Sequence, residues 1–330
     1  MTFNTARILV GDNRDTLASL ETGSVQACVT SPPYWGLRDY GNDDQIGLEE
    51  TPEEYVEQLC LVFDEVWRVL ADDGTLWLNL GDSYAAQRGG SYQPAETLAG
   101  GTSGVAKDGS KTNRGRGEGY SPARNASAIG LKHKDLVGIP WRVAFALQAR
   151  GWFLRSEIIW HKPNPMPESV TDRPTKSHEH IFLMSKAPKY YYDHEAIKED
   201  TKGDWGTRDR THGKYHNEGT GLQPHSGLNK AYDRANKRDV WSVPTRPYTG
   251  AHFAVYPPAL IEPCILAGSR EGDTVLDPFS GSGTTGVVAL RNGRNYVGTE
   301  VNPEYAKLSQ RRIGDDCGMF GTVEIEEGKK

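Results

Sequence analysis

The chain has 330 residues, 36% of them hydrophobic, and a formal net charge of −6. That length can supply one large domain or two modest ones with a full core, and no apolar run reaches the roughly 18 residues of a membrane helix. An acidic total also counts against an evenly basic nucleic-acid surface, although it does not report local charge. The opening stretch MTFNTARILVGDN carries no apolar leader, and Cys28, Cys60, Cys264 and Cys317 are scattered without a C-x-x-C pair. The expectation is a cytoplasmic chain with reduced thiols, no disulfide frame and no metal centre.

In chain order, RILV (7–10) and ACVT (27–30) read as strands, and the second runs directly into TSPPYWG (30–36). TPEEYVEQLCLVFDEVWRVL (51–70) reads as a helix, with a Thr cap and acids in its first turn. TLWLNL (75–80) is the next strand candidate, followed by a Gly-, Ser-, Thr- and Arg-rich segment over 85–130. GIPWRVAFALQARG (138–151) is helical, with Pro near its start and Gly at its end. RSEIIW (155–160) and HIFLMS (180–185) are strands, and a second polar segment spans 198–238. A helix over 258–267, the strand TVLD (274–277), a helix over 285–292 and the strand NYVGTE (295–300) follow. Strands alternating with helices predict an α/β fold with a mainly parallel sheet.

Neither polar segment can supply much core, and insertions of that length in a compact domain are functional or disordered. Residues 202–238 hold eight Lys and Arg against four acids, interleaved with Trp205, Tyr215 and Tyr232. Composition leaves two readings open: a solvated linker or a nucleic-acid contact surface.

The sequence from 274 to 302 carries the sharpest ligand signal. A strand ends at Asp277, the literal G-x-G-x-x-G of Gly281, Gly283 and Gly286 leads into a helix, and the next strand ends at Glu300. Such glycines let backbone approach a nucleotide, and an acid at the second strand end can accept ribose hydroxyls. Asp277 at the loop mouth would repel a pyrophosphate on the helix N-terminus. It would suit a cationic adenosine ligand, S-adenosylmethionine. Only some thirty residues follow Glu300, too few to complete a dinucleotide domain.

The earlier step, Ser31-Pro32-Pro33-Tyr34, fixes its backbone by two prolines. The Pro32 carbonyl and Ser31 oxygen could accept from a planar ring's amino group, with Tyr34 stacked on the ring. Taken alone, the step reads as a proline-rich turn that shields the sheet end.

Together, SPPY (31–34) and DPFSGSG (277–283) make the chain resemble the amino-directed DNA methyltransferases of bacteria and their phages, in the permuted β-group order. The family pattern is (D/N/S)-P-P-(Y/F/W) upstream and F-x-G-x-G downstream. ILVGD (8–12), the stretch 158–186 and HFAVYPPALIEPCI (252–265) resemble further family segments in the right order. The resemblance implies an AdoMet-dependent, Rossmann-like, circularly permuted sheet of seven strands. Their order would be 3-2-1-4-5-7-6 with one strand reversed, and the chain would supply three, four, five, six, seven, one and two. It implies a catalytic half (1–197, with insertion 85–130), a target-recognition insertion (198–238) and a cofactor half (239–330) of the same domain.

By the same resemblance, Ser31, Pro32, Pro33 and Tyr34 are catalytic. Asp12, Phe253, Asp277, Pro278, Phe279, Gly281, Ser282, Gly283, Thr284 and Glu300 hold S-adenosyl-L-methionine. Lys162, Asn164, Arg173, Arg208, Arg210, Lys214, Arg234, Lys237 and Arg238 are the DNA-contact candidates. No metal is required. The implied partners are double-stranded DNA, a cognate restriction endonuclease and a second copy in a homodimer. Family members with Ser at the first position mostly modify cytosine N4 and those with Asp mostly adenine N6, so Ser31 points to cytosine, with adenine the alternative. Attack at cytosine C5 would need Pro-Cys after the glycine loop, whereas Pro263-Cys264 precedes it in an apolar helix, where Cys264 reads as core. A protein glutamine methyltransferase would use a similar N-P-P-Y step in unpermuted order. A non-catalytic DNA-binding relative would share the fold.

Overall fold

The computed structural model describes residues 4–36, 45–85, 130–200, 234–245, 256–318 and 321–327. The chain enters as strand β1 (Asn4–Val10), turns through the short helix α1 (Asn13–Ala18) and returns as β2 (Val25–Thr30). Helix α2 (Pro52–Val69) starts where its sequence says it should. Thr51 Oγ1 accepts from the Glu54 amide (3.1 Å) and the Glu54 carboxylate accepts from the Thr51 amide (3.2 Å), a capping box with Pro52 at the first helical position. Strand β3 (Leu70–Leu80) follows without a loop.

Helix α3 (Ile139–Ala149) has Gly138 as its N-cap, which offers no side chain. Asp82, just past β3, does the capping from afar, accepting from the amides of Gly138 (3.0 Å) and Ile139 (3.1 Å). Strands β4 (Phe153–His161) and β5 (His178–Ser185) form a wide hairpin. The short strands β6 (Glu199–Asp200) and β7 (Arg234–Ala235) pair with each other, joining the two ends of segment 201–233. β8 (Val240–Ser242) then lies along β4. The last part runs α4 (Pro258–Gly268), β9 (Thr274–Asp277), α5 (Thr284–Arg291), β10 (Asn295–Glu300), α6 (Pro303–Cys317) and β11 (Gly321–Glu327).

Among the described residues, nine strands form one sheet in the order β11-β1-β10-β9-β2-β3-β5-β4-β8. The inner seven reproduce the expected 3-2-1-4-5-7-6 arrangement. β5 is the reversed strand, antiparallel to both β3 and β4. Two edge strands, β8 and β11, and two helices, α1 and α6, were not anticipated. Successive residues of each central strand face opposite layers. Leu9, Cys28, Leu76, Leu276 and Val297 pack with α1, α2 and α3. Their neighbours Ile8, Val29, Trp77, Val275 and Tyr296 pack with α4, α5 and α6. Cys264 is core, as expected, and burial pushes its thiol well up. No described helix is long and apolar enough to cross a membrane.

Candidate active site

The C-terminal ends of the parallel strands define one edge of the sheet, where α/β folds gather their ligands. Asp12 follows β1, Ser31 follows β2, Gly81 follows β3, the glycine loop follows β9, and Glu300 ends β10. Because β5 runs backwards, its first residues rather than its last arrive at this edge. His180 is in register with Leu80, which puts Glu179 beside Gly81.

Around the proline step the side chains are tied together. The Tyr34 hydroxyl donates to Glu179 Oε2 (2.6 Å), and the Ser31 hydroxyl lies 3.5 Å from the Tyr34 oxygen. Asn79 Nδ2 donates to the Tyr34 hydroxyl (2.8 Å) and Glu179 Oε2 (3.0 Å), and lies 3.4 Å from Ser31 Oγ. The Lys162 ammonium pairs with Glu179 Oε1 and sits 4.3 Å from the centre of the Trp160 ring. Burial works to raise the Glu179 carboxyl, but the Lys162 charge and the hydrogen bonds from Lys162, Tyr34 and Asn79 outweigh it and hold it below the usual range. Burial and the neighbouring carboxylate push the Tyr34 phenol far up, so it stays protonated. The Tyr34 ring lies on Gly81, where an added Cβ would come within 2.5 Å of Tyr34 Cε2. The Pro33 carbonyl accepts from the Tyr55 hydroxyl (2.8 Å). The Pro32 carbonyl accepts no hydrogen bond among the described residues. Asn79 Oδ1 is the one buried side-chain polar atom of the described residues without a partner, in a side chain 3% exposed.

The glycine loop is held from behind. Gly283 has φ +75°, and a Cβ there would come within 2.2 Å of Ser309 Oγ on α6. A Cβ on Gly286 would meet Ile313 and Tyr296. At Gly281, with φ +50°, an added Cβ would meet nothing closer than the Phe279 carbonyl oxygen at 3.8 Å, so of the three glycines it is the least crowded. The Glu300 carboxylate accepts from the amides of Gly281 (2.8 Å) and Asn302 (3.0 Å). Burial nevertheless pushes the Glu300 carboxyl up to about 7. The Pro278 carbonyl accepts from Thr299 Oγ1 (2.7 Å), and Phe279 packs at the edge of the core.

Several sequence expectations change here. Asp277 does not stand at the loop mouth facing a cation: it is 1% exposed. Its carboxylate accepts from Thr30 Oγ1 (2.6 Å), Thr285 Oγ1 (2.7 Å), the Phe279 amide (3.0 Å) and the Tyr256 hydroxyl (3.1 Å). Burial raises its carboxyl above the ordinary value against those four donors. The acid therefore ties β2, β9 and α5 together. Asp12 caps α1 and is gripped by the Arg14 guanidinium (2.9 and 2.5 Å). The hydroxyls of Ser282 and Thr284 both accept from Arg312 Nη1 of α6 (2.8 Å each), which turns them to the loop's rear.

Among the DNA-contact candidates, Lys162 belongs to the Glu179 cluster. Asn164 bonds both backbone polar groups of Thr245 (3.0 Å each) and so fixes a loop. Arg173 lies 4.0 Å from the Tyr84 ring centre and pairs with Glu168 (2.6 Å). Arg234 donates to the Lys198 carbonyl (2.7 Å), Arg238 pairs with Glu199 (2.5 Å), and Lys237 lies over Trp241 (5.1 Å). Phe253, Arg208, Arg210 and Lys214 lie outside the described residues. Sequence reasoning passed over Asn79, Gly81 and Glu179. The available signal was the reversed strand, which carries its N-terminal residues to the site.

The family model described as DNA methylase, covering N6- and N4-directed enzymes, matches residues 25–311. The chain belongs to that family. It is 46% identical over 319 residues to the Type II methyltransferase M.Cfr9I of Citrobacter freundii, covering 96% of this chain and 91% of the relative. It is 48% identical over 311 residues to the Type II methyltransferase M.SmaI of Serratia marcescens, covering 94% and 91%. Among solved structures, a DNA modification methylase of Thermus thermophilus, complexed with S-adenosyl-L-methionine, aligns with TM-score 0.59 and 24% identity over 98% of this chain and 99% of its own. The cytosine-N4-specific PvuII DNA methyltransferase aligns with TM-score 0.60 and 18% identity over 98% and 96%. These last two likenesses concern the fold. As a member of this family, the protein is an amino-directed DNA methyltransferase.

Proposed function

We propose that the enzyme moves a methyl group from S-adenosyl-L-methionine to the N4 amino group of a cytosine flipped out of duplex DNA. The observation that carries this reading is the pairing of two half-sites at one sheet edge. One is an acceptor set on the proline step, and the other is the uncrowded turn at Gly281 with the Glu300 carboxylate bonded to its amide. Asp277 joins the two through Thr30 and Thr285. S-adenosylmethionine fits the second. The backbone at Gly281 leaves room for a ligand, Glu300 offers carboxylate oxygens to ribose hydroxyls, and Phe279 offers an apolar wall.

When bound, S-adenosylmethionine supplies an electrophilic methyl on a sulfonium. The chain's own residues must make an amino nitrogen attack it. That nitrogen is a poor nucleophile because its lone pair is delocalised into the ring. Ser31 Oγ and the Pro32 carbonyl, accepting its two hydrogens, favour a more tetrahedral nitrogen whose lone pair faces the methyl. Asn79 Oδ1, buried and without a donor among the described residues, lies in the side chain whose Nδ2 is 3.4 Å from Ser31 Oγ. Transfer to the nitrogen would leave the C–S electron pair on sulfur, and the surplus amino proton, held by the Ser31 and Pro32 acceptors, would pass to water. Positioning and fixed dipoles supply the rate, and extrusion of the base makes the geometry reachable.

The neutral Ser31 supports cytosine over adenine through the family pattern. The Type II names of the relatives support a restriction-modification role with a cognate endonuclease. The described Lys and Arg of the DNA-contact set are held in place by acids, carbonyls or rings. We assign direct phosphate contact to the other cations of the basic segment, Arg208, Arg210 and Lys214 among them.

The test is to incubate the protein with duplex DNA and S-adenosylmethionine, digest to nucleosides and identify the product by mass spectrometry. N4-methylcytosine is expected. N6-methyladenine would replace the base assignment, and no methylated base would overturn the reading. S31A should abolish methylation while cofactor affinity stays near the wild-type value.

A further inference from the structure

Glu179 lies outside both sequence motifs, yet it terminates the hydrogen bonds of the proline step. An ionised carboxylate only accepts. The Tyr34 hydroxyl must therefore spend its one hydrogen on Glu179 Oε2, at 2.6 Å. Its lone pairs are then left to receive Asn79 Nδ2 (2.8 Å) and the Ser31 hydroxyl (3.5 Å). With Ser31's hydrogen turned toward Tyr34 and one serine lone pair facing Asn79 Nδ2 (3.4 Å), the other lone pair remains for a ligand. Both O–H groups in this chain of bonds point toward the carboxylate.

We propose that Glu179 is a positioning residue which, acting through the Tyr34 hydroxyl, sets Ser31 as an acceptor for the amino group of the base. Lys162 serves this arrangement by occupying the second carboxylate oxygen, so that Glu179 stays ionised and in place. A protonated or amide-bearing side chain at 179 would present a donor. The Tyr34 hydroxyl could then turn around, and with it Ser31. The inference rests on the reading above that Ser31 faces the amino nitrogen. It adds to that reading a group on β5 that need not touch the base.

A rival explanation is that Glu179 only neutralises a half-buried Lys162. Steady-state methylation kinetics on the purified full chain separate the two. E179Q should lower kcat roughly 10- to 100-fold, the worth of one charge-assisted hydrogen bond. KM for DNA and for S-adenosylmethionine should stay within about twofold, as for an interaction used in the transition state alone. Y34F removes the hydroxyl without touching the ion pair and should show a similar loss. The double variant E179Q/Y34F should be no slower than Y34F, because both break the same chain. K162M/E179Q, which removes the orphaned charge, should remain slow. Wild-type kcat in E179Q or in Y34F overturns the proposal. So do additive losses in the double variant, or recovery of activity in K162M/E179Q. An active wild type with unimpaired E179Q removes only this proposal, whereas a wild type that methylates no amino group removes the underlying reading as well.

Discussion

Single atoms decide much at this site. Gly81 leaves room for the Tyr34 ring, since a methyl there would come within 2.5 Å of Cε2. G81A should displace the ring and slow methylation, at a cost of about 1–3 kcal/mol for overpacking. Thermal unfolding and single-turnover rates check this, and a variant with wild-type rate and unchanged Tm would refute it. Glu300 carries a pH signature. Its carboxyl, pushed up to about 7 by burial, is partly protonated near neutrality. If its oxygens accept the ribose hydroxyls, the ligand selects the ionised form and binding expels a proton. Affinity for S-adenosylmethionine should then rise as pH increases through about 7, by at most tenfold per unit below it. In the ligand-free protein the same raised acid makes stability fall as pH climbs from the ordinary carboxylate range through about 7. Calorimetric titration at about pH 6 and about pH 8 checks the binding claim. Equal Kd at both would deny Glu300 the ribose role, and E300Q should flatten the profile.

Elements act on the site from behind. Helix α6 reaches the glycine loop through Arg312, which holds Ser282 and Thr284, and through Ser309 packed on Gly283. R312M should weaken cofactor binding roughly tenfold, the scale of losing hydrogen bonds to a charged donor, while kcat at saturating cofactor changes less. An unaltered Kd would show that the loop holds itself. The seven inner strands and α2 were legible in the sequence because apolar runs, a capping box and prolines are local signals. So were the proline step and the glycine loop, since each is contiguous. Helix α6 is mostly polar and escaped notice, although Asn302-Pro303-Glu304 is a helix start, with the Glu304 amide donating to Asn302 Oδ1 at 2.9 Å. Asp82 capping α3 and Glu179 meeting Tyr34 could not be read locally. The partners lie 56 and 145 residues apart, and only the sheet order brings them together. Asp277 was misjudged for the same reason. Two of its four donors, Thr30 and Tyr256, lie 247 and 21 residues away, so a residue that looks exposed in a glycine-rich loop is buried.

Across the whole molecule, one sheet draws strands from both ends of the chain. β1 lies between β10 and β11, and Arg7 of β1 pairs with Glu326 of β11 at 2.7 Å. Ending the chain after Gly318 should bare the β1 edge and lower Tm by several degrees, with activity kept at low temperature. A truncated chain with unchanged Tm would show that β11 is dispensable. The carboxylate of Asp277 spans a different seam. It holds Thr30, the residue before Ser31, and Thr285, in the first turn of α5, on one rigid group. A ligand that stills the glycine loop must therefore also still the proline step. Coupling between two sites is reciprocal. A non-reactive cofactor analogue should thus tighten DNA binding, and DNA should tighten the analogue by the same factor. In D277N that shared factor should fall toward one, turning two cooperating ligands into independent ones.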